Sequence, residues 1–96
     1  MDYRLRYTQR ALKDLAEIVE YIAEDDEGAA SRFGAALLDH IELLKRFPWI
    51  GDTVEQDRRV RKLTHSPILA YYRVYEDAGL IVVLYLRHGS RRPPKL

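Results

Sequence analysis

The apolar positions of this chain fall into two registers. Tyr3-Arg4-Leu5-Arg6-Tyr7 alternates apolar and basic residues, the period of a strand half-buried through Tyr3, Leu5 and Tyr7. From Thr8 the period lengthens to that of a helix. The Thr8 hydroxyl can cap the orphan amides of a first turn, and Ala11, Leu12, Leu15, Ile18, Val19 and Ile22 fall on one face. Arg10–Asp14 and Lys13–Glu17 are opposite charges at i,i+4 and mark the wet side. The charged run Glu24-Asp25-Asp26-Glu27-Gly28 predicts the turn of a helical hairpin. A second helix is predicted from about Ala29 to Arg46, with Phe33, Leu37, Ile41 and Leu44 as its stripe and Ala30 and Ala36 beside it. The small Ala29, Ala30, Gly34 and Ala35 allow the two helices to approach closely. Lys45 and Arg46 suit the negative end of the helix dipole, and Pro48 cannot continue the helix.

After that stop the pattern changes again. Phe47-Pro48-Trp49-Ile50-Gly51 predicts an apolar loop whose Phe47 and Trp49 plug the end of the hairpin, and 52–57 reads as a polar, mobile connection. Val60-Arg61-Lys62-Leu63 predicts a short strand with Val60 and Lys62 on one side and Arg61 and Leu63 on the other, followed by a loop at Thr64-His65-Ser66-Pro67. Two β-branched and aromatic runs, 68–75 and 80–87, flank Glu76-Asp77-Ala78-Gly79, a polar turn whose glycine supplies positive φ. The run from Leu80 to Leu86 is apolar at nearly every position, which predicts a central strand covered on both faces. The order β-α-α-β-β-β implies an α+β domain, an antiparallel twisted sheet with the helical hairpin packed on one face.

Length and charge refine this. The 96 residues make one domain, 1–96, with a single modest core. No cysteine is present, which excludes disulfides and thiolate metal sites and fits a cytoplasmic protein. No apolar run reaches membrane-spanning length, so no membrane partner is expected. The net charge of +1 conceals an asymmetry: residues 1–57 hold 7 Lys/Arg against 13 Asp/Glu, a net of −6, and residues 58–96 hold 9 against 2, a net of +7. Opposite charges on two solvated faces would account for this. So would a basic face that meets nucleic acid or an acidic partner segment.

The element order, the strand Tyr3–Tyr7, the Ala11-Leu12 start, Phe47-Pro-Trp-Ile-Gly51, Arg61-Lys62-Leu63, Tyr72-Arg73-Val74 and the terminal His88-Gly-Ser-Arg91 together resemble the RelE/ParE superfamily of toxins from type II toxin–antitoxin modules. The Phe-Pro-x-x-Gly loop and the His-x-x-Arg end look most like the ParE branch. The resemblance implies a plasmid-stabilisation type of growth inhibitor silenced by a cognate antitoxin, ParD-like or another ribbon-helix-helix or helix-turn-helix protein. In the ParE branch the implied target is DNA gyrase; in the RelE branch the implied act is cleavage of messenger RNA on the ribosome. An inactive, toxin-like binding module is a third reading. Fold alone does not choose among them.

The residues bear on that choice. Cleavage through a 2′-hydroxyl needs a base, an acid and cations on the scissile phosphate. The messenger-cleaving branch typically carries Tyr-Arg-Leu-Val-Tyr on the third strand, and here Leu69 stands where its arginine would be. His88, Arg91, Lys62 and Arg61 are the residues such a reaction would have to use, although a lone histidine at a strand end more often bonds a backbone carbonyl. A gyrase inhibitor needs only a shaped surface, for which the candidates are Arg61, Lys62, Arg73, Arg87, His88, Arg91 and Arg92. Arg61, Arg73 and Arg91 are further expected to hold an acidic antitoxin segment, beside an apolar groove along the helices. Tyr71, Tyr72, Tyr75 and Tyr85 read as sheet packing with hydroxyls at the rim. His40 reads as packing or capping, and no metal-ligand spacing, calcium loop or phosphate loop appears, so no cofactor is expected.

Overall fold

The computed structural model describes residues 2–89. Its elements are β1 (Arg4–Tyr7), α1 (Gln9–Ala23), α2 (Glu27–Glu42), β2 (Asp52–Val54), β3 (Asp57–His65), β4 (Ile68–Tyr75) and β5 (Leu80–His88), with single 3-10 turns at Leu43–Lys45 and Glu76–Ala78. Thr8 caps α1 as its chemistry suggests: Oγ1 accepts from the Ala11 amide at 2.9 Å and donates to the Leu84 carbonyl at 2.6 Å, which ties the helix start to β5. The second cap is Asp26, whose carboxylate accepts from the Ala29 amide at 3.0 Å. The hairpin turn is therefore tighter than the charged run suggested, and Gly28 lies inside the first turn of α2 rather than at a helix stop. The two helices meet closely at Gly34, where a Cβ would come within 3.3 Å of Val19 Cγ2. Gly79 adopts φ 60°, the left-handed turn position expected of it.

The five strands form one sheet in the order β1-β5-β4-β3-β2, so β5 is central as expected, but helices cover only one of its faces and Leu80, Val82 and Tyr85 on the other are half-buried, contrary to the expectation of cover on both. The fold class is the expected one, with two corrections to the pairing. First, β1 lies parallel to β5, through Arg4↔Leu80 to Tyr7↔Val83, so the sheet is mixed rather than wholly antiparallel. Alternation along a strand states which face is buried but not which way the strand runs. Second, the segment after Gly51 is not a mobile connection. Asp52–Val54 pairs with β3 as a three-residue edge strand, too short to show an alternation of its own.

Both helices cover one face of the sheet. Ala11, Leu37, Ile41 and Leu44 pack on Leu63, Ile68, Ala70, Tyr72, Ile81, Val83 and Leu86, all buried. A bulge keeps this set on one side: Tyr71 pairs with Tyr85 but Tyr72 pairs with Val83, which leaves Leu84 as the extra residue of β5. Leu12 is 51 % exposed and takes no part in the core, contrary to its place in the helical stripe. No helix among the described residues is long and apolar enough to cross a membrane.

The apolar loop after α2 is held from beneath by its backbone. The buried Tyr72 hydroxyl donates to the Pro48 carbonyl at 2.8 Å and accepts from the Gly51 amide at 2.9 Å. Arg61 donates to the carbonyls of Gly51 at 2.6 Å and Trp49 at 3.1 Å. Gly51 is required there, since a Cβ would lie 2.6 Å from the Lys62 carbonyl oxygen. With the backbone drawn inward, Pro48 is buried while Phe47 and Trp49 turn outward, 51 % and 48 % exposed. The expectation that they plug the core is overturned: Tyr72 already fills that space.

His65 ends β3 rather than lying in a loop, and its Nδ1 meets His40 Nδ1 of α2 at 2.9 Å. Their ring centroids are 5.1 Å apart, about two ring radii beyond the nitrogen separation, so the rings point head-on and share one proton as donor and acceptor. The Phe33 ring packs edge-on against His65.

Two outcomes are expected. Tyr72→Phe leaves the Gly51 amide and Pro48 carbonyl without their buried partner and costs about 1–3 kcal/mol in urea unfolding; a loss below about 0.5 kcal/mol would show the bridge to be idle. Burial, then the His40 imidazole, holds His65 below its ordinary value of 6.5. The unfolded chain takes up this proton first, so the histidine's contribution is present above pH 6.5 and is lost as pH falls below it. His65→Gln should flatten the acid side of the stability profile, and an unchanged acid slope would contradict the shared-proton contact.

Candidate functional site

The bulged β4–β5 pair sorts the candidate residues onto two faces. Ile68, Ala70 and Tyr72 point to the helices, so Leu69, Tyr71 and Arg73 point to the open face, and their partners Arg87, Tyr85 and Val82 stand beside them. Across β3, Lys62 pairs with Tyr71 and so joins the open face, whereas Arg61 pairs with Tyr72 on the helix side. Across β5, Arg6 pairs with the same Val82 that pairs with Arg73, and Arg4 pairs with Leu80. The open face thus carries Arg4, Arg6, Lys62, Arg73 and Arg87. Asp52, opposite Lys62 on the edge strand β2, supplies a carboxylate at its margin.

Tyrosine rings and a hydrogen bond, rather than ion pairs, hold Arg73 and Arg87. The Tyr71 and Tyr85 rings stack at 4.6 Å and 13°. Arg87 Nε donates to the Tyr71 hydroxyl at 3.2 Å, and its guanidinium lies 5.8 Å from the Tyr71 ring centroid. The Arg73 guanidinium sits 4.6 Å above the Tyr75 ring, and its buried Nε has no hydrogen-bond partner among the described residues. The ion pairs among the described residues are Arg10–Asp14, Lys45–Glu42 and Arg59–Asp57, none of which uses Lys62, Arg73 or Arg87. The positive charge of this face is therefore displayed rather than neutralised.

The remaining candidates lie elsewhere. Arg61 is a latch on the 47–51 loop, with its guanidinium 5.0 Å over Trp49. His88 pairs with Ile68 on the helix side. It lines a groove of about 600 Å³ between α1 and the end of the sheet, with the apolar Ile18, Tyr21, Ile22, Phe33 and Leu86 and the charged Asp14, Glu17 and Arg87. Arg91 and Arg92 lie outside the described residues. His40 and His65 are joined to one another on the helix side, and no group of three or more metal-ligating residues forms among the described residues.

Three features escaped sequence reasoning. Arg4 and Arg6 join the basic face; the alternating first strand was the signal, but only the parallel pairing with β5 brings them beside Arg73. Asp14, read as a wet ion-pair partner, also accepts from the Leu86 amide at 3.0 Å and closes part of the β5 edge that β1 leaves uncovered. The outward turn of Phe47 and Trp49 follows from the Tyr72 bridge and carried no local signal.

Known proteins are similar to this chain. The family model of the ParE toxin of the type II toxin–antitoxin system parDE matches residues 5–93. The protein named "Putative toxin Y4kP" of Sinorhizobium fredii is 32 % identical over 83 residues, covering 85 % of this chain and 86 % of that one. Among solved structures, the chromosomal ParDE system of P. aeruginosa aligns at TM-score 0.76 and 21 % identity, covering 90 % of this chain and 95 % of that one. The RelBE2 toxin–antitoxin complex of Mycobacterium tuberculosis aligns at TM-score 0.73 and 20 % identity, covering 92 % and 99 %. At those identities the structures speak for the fold alone. The family match over nearly the whole chain, together with the Sinorhizobium relative, goes further: this chain belongs to the ParE toxin family of type II toxin–antitoxin systems.

Proposed function

We propose that this chain arrests bacterial growth by poisoning DNA gyrase and that a cognate antitoxin silences it. The observation that carries this reading is the separation of Lys62 and Arg73 from the three histidines. Lys62 and Arg73 stand on the open face, while His40 and His65 lie on the helix side and His88 lines the groove, which it shares with Arg87. Leu69 stands beside Arg87 on the open face, where a phosphate-holding arginine would serve an endonuclease. Such a face can bind an anionic or acidic surface but lacks an imidazole to move a proton. The antitoxin, ribbon-helix-helix or helix-turn-helix in type, lays a helix in the apolar groove of Ile18, Ile22, Phe33 and Leu86. Both partners place the protein in the cytoplasm.

Messenger cleavage on the ribosome is the second reading, favoured by the contact of the Tyr71 hydroxyl with Arg87 beside Lys62. Expression of the chain alone under tight control separates the two. The expected result is gyrase-linked plasmid breaks with intact messenger. Cuts in ribosome-bound messenger without such breaks would overturn the proposal in favour of the second reading, and normal growth with neither would leave a binding module.

A further inference from the structure

The loop after α2 exposes large apolar side chains at four positions within eight residues: Leu43 at 44 %, Phe47 at 51 %, Trp49 at 48 % and Ile50 at 47 %. Their backbone is fastened at both ends. Tyr72 grips Pro48 and Gly51, Arg61 grips Trp49 and Gly51, and the Phe47 amide donates to the Leu43 carbonyl at 2.9 Å. A cation flanks each aromatic ring: the Arg46 guanidinium lies 5.9 Å from the Phe47 centroid and that of Arg61 lies 5.0 Å from Trp49. An apolar knob ordered in advance and edged by arginine has the composition of a binding hot spot and loses little entropy on docking.

We propose that the 43–50 knob is a docking element for the target protein, inserting Phe47 and Trp49 into an apolar pocket rimmed by carboxylates. This rests on the gyrase reading and adds to the open basic face a second, apolar point of contact with the same target. Charge selects the occupant. Arg46 and Arg61 beside the rings call for carboxylates on the partner. A nucleic acid is disfavoured because a duplex offers no apolar pocket in which to bury four large apolar side chains. A second copy is disfavoured because a two-fold contact would set Arg46 and Arg61 against their own equivalents.

Trp49 is the one tryptophan of the chain, so 5-fluorotryptophan labelling gives a single ¹⁹F resonance at the knob. Addition of purified gyrase should shift or broaden it. Phe47→Ala/Trp49→Ala should weaken gyrase binding by about tenfold or more while the urea midpoint and antitoxin affinity stay near wild type. The fold should tolerate this change, because the latch uses the loop backbone. A resonance unmoved by gyrase, one moved by antitoxin alone, or one that moves with the chain's own concentration would each overturn the knob. So would a double variant that traps gyrase–DNA breaks as wild type does. If the wild-type chain traps no breaks with purified gyrase, the gyrase reading itself fails, which is a distinct result.

Discussion

The pairing of β4 with β5 decides where every candidate side chain can go. Side chains of a strand alternate between faces, so once Ile68, Ala70 and Tyr72 are committed to the helices, Leu69, Tyr71 and Arg73 must face away. The bulge at Tyr71/Tyr72 is what lets β5 follow. Without the extra Leu84, either Leu86 or Val83 would leave the core, and a one-residue slip would exchange the faces entirely. The same commitment sends the Tyr72 hydroxyl under the 47–51 loop and so turns Phe47 and Trp49 outward. Basic face, groove and knob are consequences of one strand register.

Charge is arranged against stability rather than for it. Pairing Lys62, Arg73 and Arg87 with carboxylates would have relieved their mutual repulsion, yet the acidic residues of the first half of the chain sit largely on and around the helices. Exposed ion pairs contribute little, so leaving the cations unpaired costs the fold little. Tyrosine rings hold two of these guanidinium groups instead, which orders them without cancelling their charge. A chain selected only to fold gains nothing from that arrangement, whereas a chain that meets an anionic or acidic surface does.

The sequence exposed much of this and concealed some for definite reasons. Strong periodicity marked α1 and α2, unbroken β-branched and aromatic runs marked β4 and β5, and the chemistry of Thr8 and Gly79 marked a cap and a turn. The direction of β1 was hidden because alternation carries no polarity, and β2 because three residues carry no period. The basic character of the C-terminal half was visible. Its division, with Lys62 outward and Arg61 turned to the loop, followed from adjacent positions, but the face each one took required the register with Tyr71 and Tyr72. The aromatic loop misled because Phe and Trp beside Pro read as core closure; only the three-dimensional position of Tyr72 shows the core already closed.

The central claim is that the open face acts by binding through displayed positive charge. The most direct measurement is growth inhibition by a Lys62→Gln/Arg73→Gln/Arg87→Gln variant, expressed at wild-type level and verified as folded by circular dichroism and urea unfolding. The account predicts that this variant folds and no longer arrests growth. Full growth arrest by the folded variant would contradict it.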